Sequence, residues 1–218
     1  MDAISIGSGT IVEVGPGLEA RTSSYANNPR LQQMVADGRP ALTIDFDTTS
    51  LGTVSHGAAM KMDIHEFASL EEMKNTIGFG AFFNVFGDLR SGISDATVAV
   101  DMLRRLRDTL TLDGLYLIAE SLTPKKVSFL KELHPQTEGL NIEIVEGEAV
   151  IVRTLLGLGY TKTFAETFAR SDILYERIQE IFKRRPKAWM NVFPTYESIT
   201  HASVRAEYGE PFLVIMRK

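Results

Sequence analysis

The sequence predicts an α/β fold built on a mostly parallel sheet, and three observations carry that prediction. Short apolar or β-branched runs alternate with stretches of helical periodicity along the first two thirds of the chain. Parallel neighbours need a long crossover connection, and helices on both faces of a sheet supply it. Turn-forming clusters, Gly15-Pro16-Gly17, Gly38 and Asp113-Gly114, stand between the runs. The chain has 218 residues, 44% of them hydrophobic and 23% charged, which is enough for one sizeable core.

Thr10-Ile11-Val12-Glu13-Val14 is the first strand, closed by Gly15-Pro16-Gly17. Residues 18 to 28 read as a loop ahead of the first helix. Asn28-Pro29 then supplies that helix with its cap and first-turn proline, Leu31, Met34 and Val35 share a face, and Gly38 ends it. Strands are expected at Ala41 to Phe46, more weakly at Met60 to Ile64, and at Ala81 to Phe86. Ser69-Leu70-Glu71-Glu72 has the spacing of a capping box and opens a brief helix. The clearest helix begins at Ser94 or Asp95 and puts Ala99, Met102, Leu103, Leu106 and Leu110 on one stripe. Asp113-Gly114 stops it before a strand at Leu115 to Ala119. Thr123-Pro124 opens another helix, and Asn141 to Val145 is a further strand. Residues 147 to 185 form a helical insertion. Ser198 to Glu207 and Pro211 to Met216 read as an antiparallel hairpin turning at Tyr208-Gly209-Glu210. With no internal repeat or low-complexity linker, residues 1–218 are expected to be a single domain.

Lys and Arg number 23 against 28 for Asp and Glu, a formal charge of −5. Nucleic acid is therefore not expected as the main partner. The chain has no cysteine, which excludes disulfides, thiolate metal sites and a cysteine nucleophile. His56, His65, His134 and His201 lack metal-ligand spacing. The start has no basic segment followed by an apolar one, and no run approaches the roughly 18 apolar residues of a membrane span, so a cytoplasmic protein is expected.

Ligands of open α/β sheets bind beyond the carboxyl ends of the strands, where strand order reverses. At the end of the first strand, Pro16-Gly17 suits the central positions of a type II turn, and neither Gly15 nor Gly17 projects a side chain. Glu13 offers a carboxylate nearby. Asp45 ends the second strand, where a carboxylate can accept both hydroxyls of a ribose. Asp63 ends the third strand candidate and Asn84 lies on the fourth.

The succession Val12-Glu13-Val14-Gly15-Pro16-Gly17, Ile44-Asp45, Met62-Asp63-Ile64, Phe83-Asn84-Val85 and Leu110-Thr111-Leu112-Asp113-Gly114-Leu115 resembles the class I S-adenosylmethionine-dependent methyltransferases. The resemblance covers about residues 10 to 120, with the C-terminal hairpin similar to that family's antiparallel last strands. It implies a Rossmann-like three-layer sandwich: a mostly parallel seven-stranded sheet with an antiparallel C-terminal hairpin. It also implies S-adenosylmethionine as cofactor and a small molecule as acceptor. By position, Glu13, Gly15, Pro16 and Gly17 match the glycine-rich first motif around the methionine and ribose portions. Asp45 matches the residue that holds the ribose hydroxyls, Asp63 and Ile64 the pair at the adenine, and Asn84 the residue at the methionine end. Phe86, Asp88 and Arg90, which follow the fourth strand, are the candidates for binding the acceptor.

No catalytic residue is named, because methyl transfer from a sulfonium depends mainly on alignment and a general base is optional. The alternative is the same fold kept as a catalytically silent binding or regulatory subunit, a reading motivated by Glu19 and Asp113 in places where the family has small residues or proline.

Overall fold

The computed structural model describes residues 3–15, 23–45, 57–62, 64–83, 96–122, 139–184 and 186–218. Seven strands pair into one sheet in the order β3-β2-β1-β4-β5-β7-β6. The first five, β1 (Thr10–Val14), β2 (Ala41–Asp45), β3 (Ala58–Lys61), β4 (Ile77–Phe83) and β5 (Leu110–Leu122), run parallel. β7 (Glu210–Arg217) runs antiparallel between β5 and β6 (Asn141–Glu146). Strand order reverses between β1 and β4, so the ends of these two strands form the switch point of the sheet.

Alternation along each strand divides the core. Ile11, Phe79, Leu117 and Leu213 face one way and pack against α1 (Pro29–Ala36), α4 (Glu148–Leu158) and α5 (Lys162–Ala169), which bring Leu31, Leu155 and Phe164. Val12, Ile44, Tyr116 and Val214 face the other way, toward α2 (Ile64–Phe67) and α3 (Ala96–Thr109) with Phe67, Met102 and Leu106. A third cluster joins α6 (Asp172–Arg184) to α7 (His201–Tyr208) through Ile178, Phe182, Phe193 and Val204. The expected Rossmann-like sandwich is met. Among the described residues no helix is long and apolar enough to cross a membrane.

Local signals account for several elements. Asn28 caps α1 by accepting from Leu31 N at 3.1 Å, and Pro29 stands at its first position. Thr161 caps α5 in the same way, accepting from Phe164 N. The helical reading of residues 147 to 185 corresponds to α4, α5 and α6.

Four expectations are corrected. Residues 198 to 207 are not a strand: Thr200 and Ser203 form a reciprocal cap that starts α7, with Val204 buried beneath it. The C-terminal pair is therefore not a hairpin, and β7 reaches its place between β5 and β6 after four helices. The large helix ends at Thr109, and Leu110 already belongs to β5. Asp113-Gly114 lies inside that strand, in a bulge between the pairs Ile77–Leu110 and Phe79–Leu115 that leaves Leu112 90% exposed. Asp113 accepts from Ser8 N and Thr111 Oγ1, and a Cβ at Gly114 would lie 2.5 Å from the Ile77 carbonyl oxygen. The turn at Glu71–Met73 starts at Leu70 without a side-chain cap, and the Ser69 hydroxyl accepts from Arg105 Nη1 on α3. The third and fourth strands start earlier than expected, at Ala58 and Ile77, and overlap the expected runs as far as Lys61 and Phe83; Ile64 belongs to α2, and Asp63 and residues 84–86 lie outside the described residues. The helix read from Thr123 lies outside the described residues.

Gly80 on β4 pairs with Tyr116 on β5, and a Cβ there would lie 1.9 Å from the Tyr116 ring. That ring is buried, its hydroxyl held by Thr109 at 2.9 Å. Gly80→Ala is expected to lower the free energy of unfolding by about 1–3 kcal/mol, because the ring must leave its packed position. Urea denaturation measures this, and an unchanged midpoint would contradict the packing described.

Candidate functional site

The carboxyl edge of the sheet gathers what the chain offers for binding. In the β1–β2 register Val14 lies opposite Ile44, so the next residues on the two strands, Gly15 and Asp45, are neighbours. Gly15 N donates to the Ile44 carbonyl at 2.8 Å and fastens the start of the turn to β2. Gly15 has φ 58°, a left-handed conformation, and among the described residues a Cβ built on it meets nothing within 4 Å. Asp45 is 7% exposed, and its carbonyl accepts from Met62 N at 3.1 Å, which ties the end of β2 to the chain leaving β3. Ile64 opens α2 just beyond and packs partly buried against the second core cluster.

Glu13 lies beside Thr43 in the register, and Asp45, two residues further on, shares its face. Glu13 is 5% exposed. Ser23 Oγ donates to it at 3.1 Å, Tyr25 N at 3.3 Å, and Ser24 N also donates to it. The Ser24 hydroxyl pairs in turn with the hydroxyl of Tyr160, at the corner between α4 and α5. The same corner holds the loop by its backbone: Thr161 N donates to the Asn27 carbonyl at 3.0 Å, and Asn28 Nδ2 donates to the Leu158 carbonyl at 3.3 Å.

Burial pushes the Glu13 carboxyl up from 4.5 to about 7, because loss of water costs the charged form more than the three donors return. Burial likewise pushes the Tyr160 hydroxyl above its usual range.

The structure thus brings Glu13, Gly15, Asp45 and Ile64 to neighbouring strand ends. Pro16, Gly17, Asp63, Asn84, Phe86, Asp88 and Arg90 lie outside the described residues. Glu13 was read as open to a ligand group, and its oxygens here serve the chain's own loop. Ser23, Ser24 and Tyr25 went unread in the sequence, although two serines shortly before a helix cap are a signal for turn donors. Tyr160 stands 136 residues from Ser24, and no local pattern connects them. Of the histidines, His201 meets Asp172 at 2.8 Å and stacks on Tyr175, away from this edge in the α6–α7 cluster.

No family model and no curated protein matches this chain. Among solved structures it is similar to an S-adenosylmethionine-dependent methyltransferase from Archaeoglobus fulgidus, with 10% identity, a TM-score of 0.45, and coverage of 99% of this chain and 88% of that one. It is similar to phosphoethanolamine N-methyltransferase 2 of Haemonchus contortus in complex with S-adenosylmethionine at 11% identity and TM-score 0.44, covering 100% of this chain and 49% of that one. A third is the [4+2]-cyclase SpnF, at 14% identity and TM-score 0.43, with 99% and 76% covered.

The raised Glu13 value fixes a pH dependence. In the unfolded chain the carboxyl ionises near 4.5 and in the folded chain near 7, so its contribution to stability is complete below the first value and is lost as pH rises through the second. The unfolding free energy of the native chain, relative to Glu13→Gln, is expected to fall by about 2–4 kcal/mol between pH 4.5 and pH 8. Denaturant titrations at several pH values measure the difference, and parallel curves for the two proteins would contradict the burial of a titrating carboxyl.

Proposed function

We propose that this chain binds S-adenosylmethionine at the carboxyl edge of β1 and β2 and transfers its methyl group to a small-molecule acceptor. The observation that carries the reading is the adjacency of Gly15, left-handed and bearing no side chain, and Asp45, a carboxylate on the neighbouring parallel strand. The residues present fit such a group. Gly15 carries no side chain that would stand between a ligand and the backbone, and Asp45 suits ribose hydroxyls at the second strand end. Ile64, beyond β3, offers an apolar surface for a base.

When bound, S-adenosylmethionine supplies an electrophilic methyl on a sulfonium. The task left to the chain is orientation and exclusion of water, and holding acceptor and methyl in line accounts for most of the acceleration in a displacement of this kind. Phe86, Asp88 and Arg90 follow β4 in the sequence and remain the acceptor-side proposal, with Asn84 at the methionine end of the cofactor. A second reading, the fold as a silent binding or regulatory subunit, draws on Glu13, whose carboxylate is taken up by Ser23, Ser24 and Tyr25.

Thermal denaturation with S-adenosylmethionine and S-adenosylhomocysteine separates the two. At 100 times its dissociation constant either ligand is expected to add about 2.7 kcal/mol of stability, and Asp45→Ala is expected to abolish the shift. An unshifted melting point with both forms favours the silent subunit, and a shift that survives Asp45→Ala removes that residue from the site.

A further inference from the structure

The third core cluster contains no strand residue, and the chain that closes it carries a surface of its own. Between Glu180 and Glu197 the sequence has no carboxylate, and Lys183, Arg184, Arg185 and Lys187 put four cations into five positions of a chain whose formal charge is −5. The last turn of α6 supplies Lys183 and Arg184, and a short 3-10 helix, Pro186–Ala188, supplies Lys187. Two tight turns follow: Met190 N donates to the Pro186 carbonyl at 3.1 Å, and Phe193 N to the Trp189 carbonyl at 2.8 Å. Phe193, buried with Ile178, Phe182 and Val204, pins this coil to the cluster.

What the coil turns outward is apolar as well as cationic. Met190 is 51% exposed and Val192 39%, beside the exposed Lys183, Arg184 and Lys187. Trp189, the single tryptophan of the chain, is half-buried, its ring stacked on Phe193 at 6.5 Å and tilted toward Tyr208 at 6.3 Å between centroids. Lys183 Nζ lies 5.2 Å over the ring of Tyr196, which holds a cation at the margin of the aromatic surface.

We propose that Lys183, Arg184, Lys187, Trp189, Met190 and Val192 form a docking face for the surface of an anionic lipid bilayer. The face includes none of the residues assigned to the ligand site at the ends of β1 and β2. Its cations meet lipid phosphate and carboxylate groups, Trp189 suits the headgroup level, and Met190 and Val192 enter the boundary with the acyl chains. Charge complementarity selects anionic lipid, because on a zwitterionic surface the cations gain nothing. A nucleic acid strand uses cations together with bases stacked on open aromatic rings. Here the Trp189 ring already packs on Phe193 and Tyr208, and the outermost side chains are aliphatic, which fits a bilayer boundary better than a phosphodiester chain. One small apolar patch with a few cations makes the attachment weak and reversible.

The test is co-sedimentation of the full chain with vesicles of phosphatidylcholine alone and with phosphatidylserine added, read together with the fluorescence of Trp189. That signal reports on this face alone, because the chain has no other tryptophan. Binding is expected only with phosphatidylserine and should weaken as salt is raised. Emission should move to shorter wavelength and be quenched by brominated acyl chains. Lys183→Gln/Lys187→Gln is expected to weaken binding roughly tenfold to thirtyfold. Met190→Ser/Val192→Ser should weaken it and abolish the quenching. Lys74→Gln/Lys162→Gln removes two exposed cations elsewhere and should bind as the unaltered chain does. No sedimentation with phosphatidylserine vesicles, equal losses in the two lysine variants, or binding without quenching would overturn the inference. So would a single-stranded oligonucleotide that binds this face more tightly than the vesicles at the same salt. None of these outcomes bears on S-adenosylmethionine, whose binding the thermal shift reads separately.

Discussion

A carboxylate sealed inside a protein must be answered by donors, and the one at Glu13 organises the end of β1. Its position on the strand is dictated by alternation: Val12 and Val14 go to one core, Ile11 to the other, and Glu13 follows Ile11 beneath the helical layer. Among the described residues no cation meets it there. The cost of burial is offset only in part by one hydroxyl and two backbone amides, all from residues 23 to 25. The loop cannot lie elsewhere without stranding the charge, and the cap of α1 at Asn28 begins where the loop ends. Strand, loop and helix are in this sense one unit.

The sheet then decides what that unit is near. β1 sits between β2 and β4, so its end adjoins both Asp45 and the reversal of strand order. The antiparallel β7 fills the space between β5 and β6 and is buried over most of its length, which places the segment from α4 to α7 between two neighbouring strands. Part of that segment returns across the sheet as a layer of the core, and its corner at Tyr160 reaches the loop that serves Glu13.

What the sequence made legible follows the range of the interactions. β1, α1, β2 and β6 carried their signals within a few residues, in β-branched runs, an Asn-Pro cap and bounding glycines. The two strand-end features, Gly15 and Asp45, were readable for the same reason. The misread places depend on distant partners. Asp113-Gly114 is a true turn signal, but pairing of Leu110 with Ile77 starts the strand before it and turns it into a bulge. Residues 198 to 207 lack a strong helical stripe and become a helix because Thr200 and Ser203 cap each other and Val204 finds the α6 cluster. Ser69 had the spacing of a cap and was taken by Arg105 instead. Glu13 looked like a ligand group because its donors come from a loop with no periodicity, and Tyr160 was invisible beside it.

The central claim is that a ligand settles over the junction of β1 and β2. Amide hydrogen exchange of the full chain with and without S-adenosylhomocysteine measures it most directly. The account predicts added protection concentrated in peptides that contain Gly15, residues 23 to 28 and Asp45. Protection confined to the α6–α7 cluster, or none at the ends of β1 and β2 under saturating ligand, would contradict it.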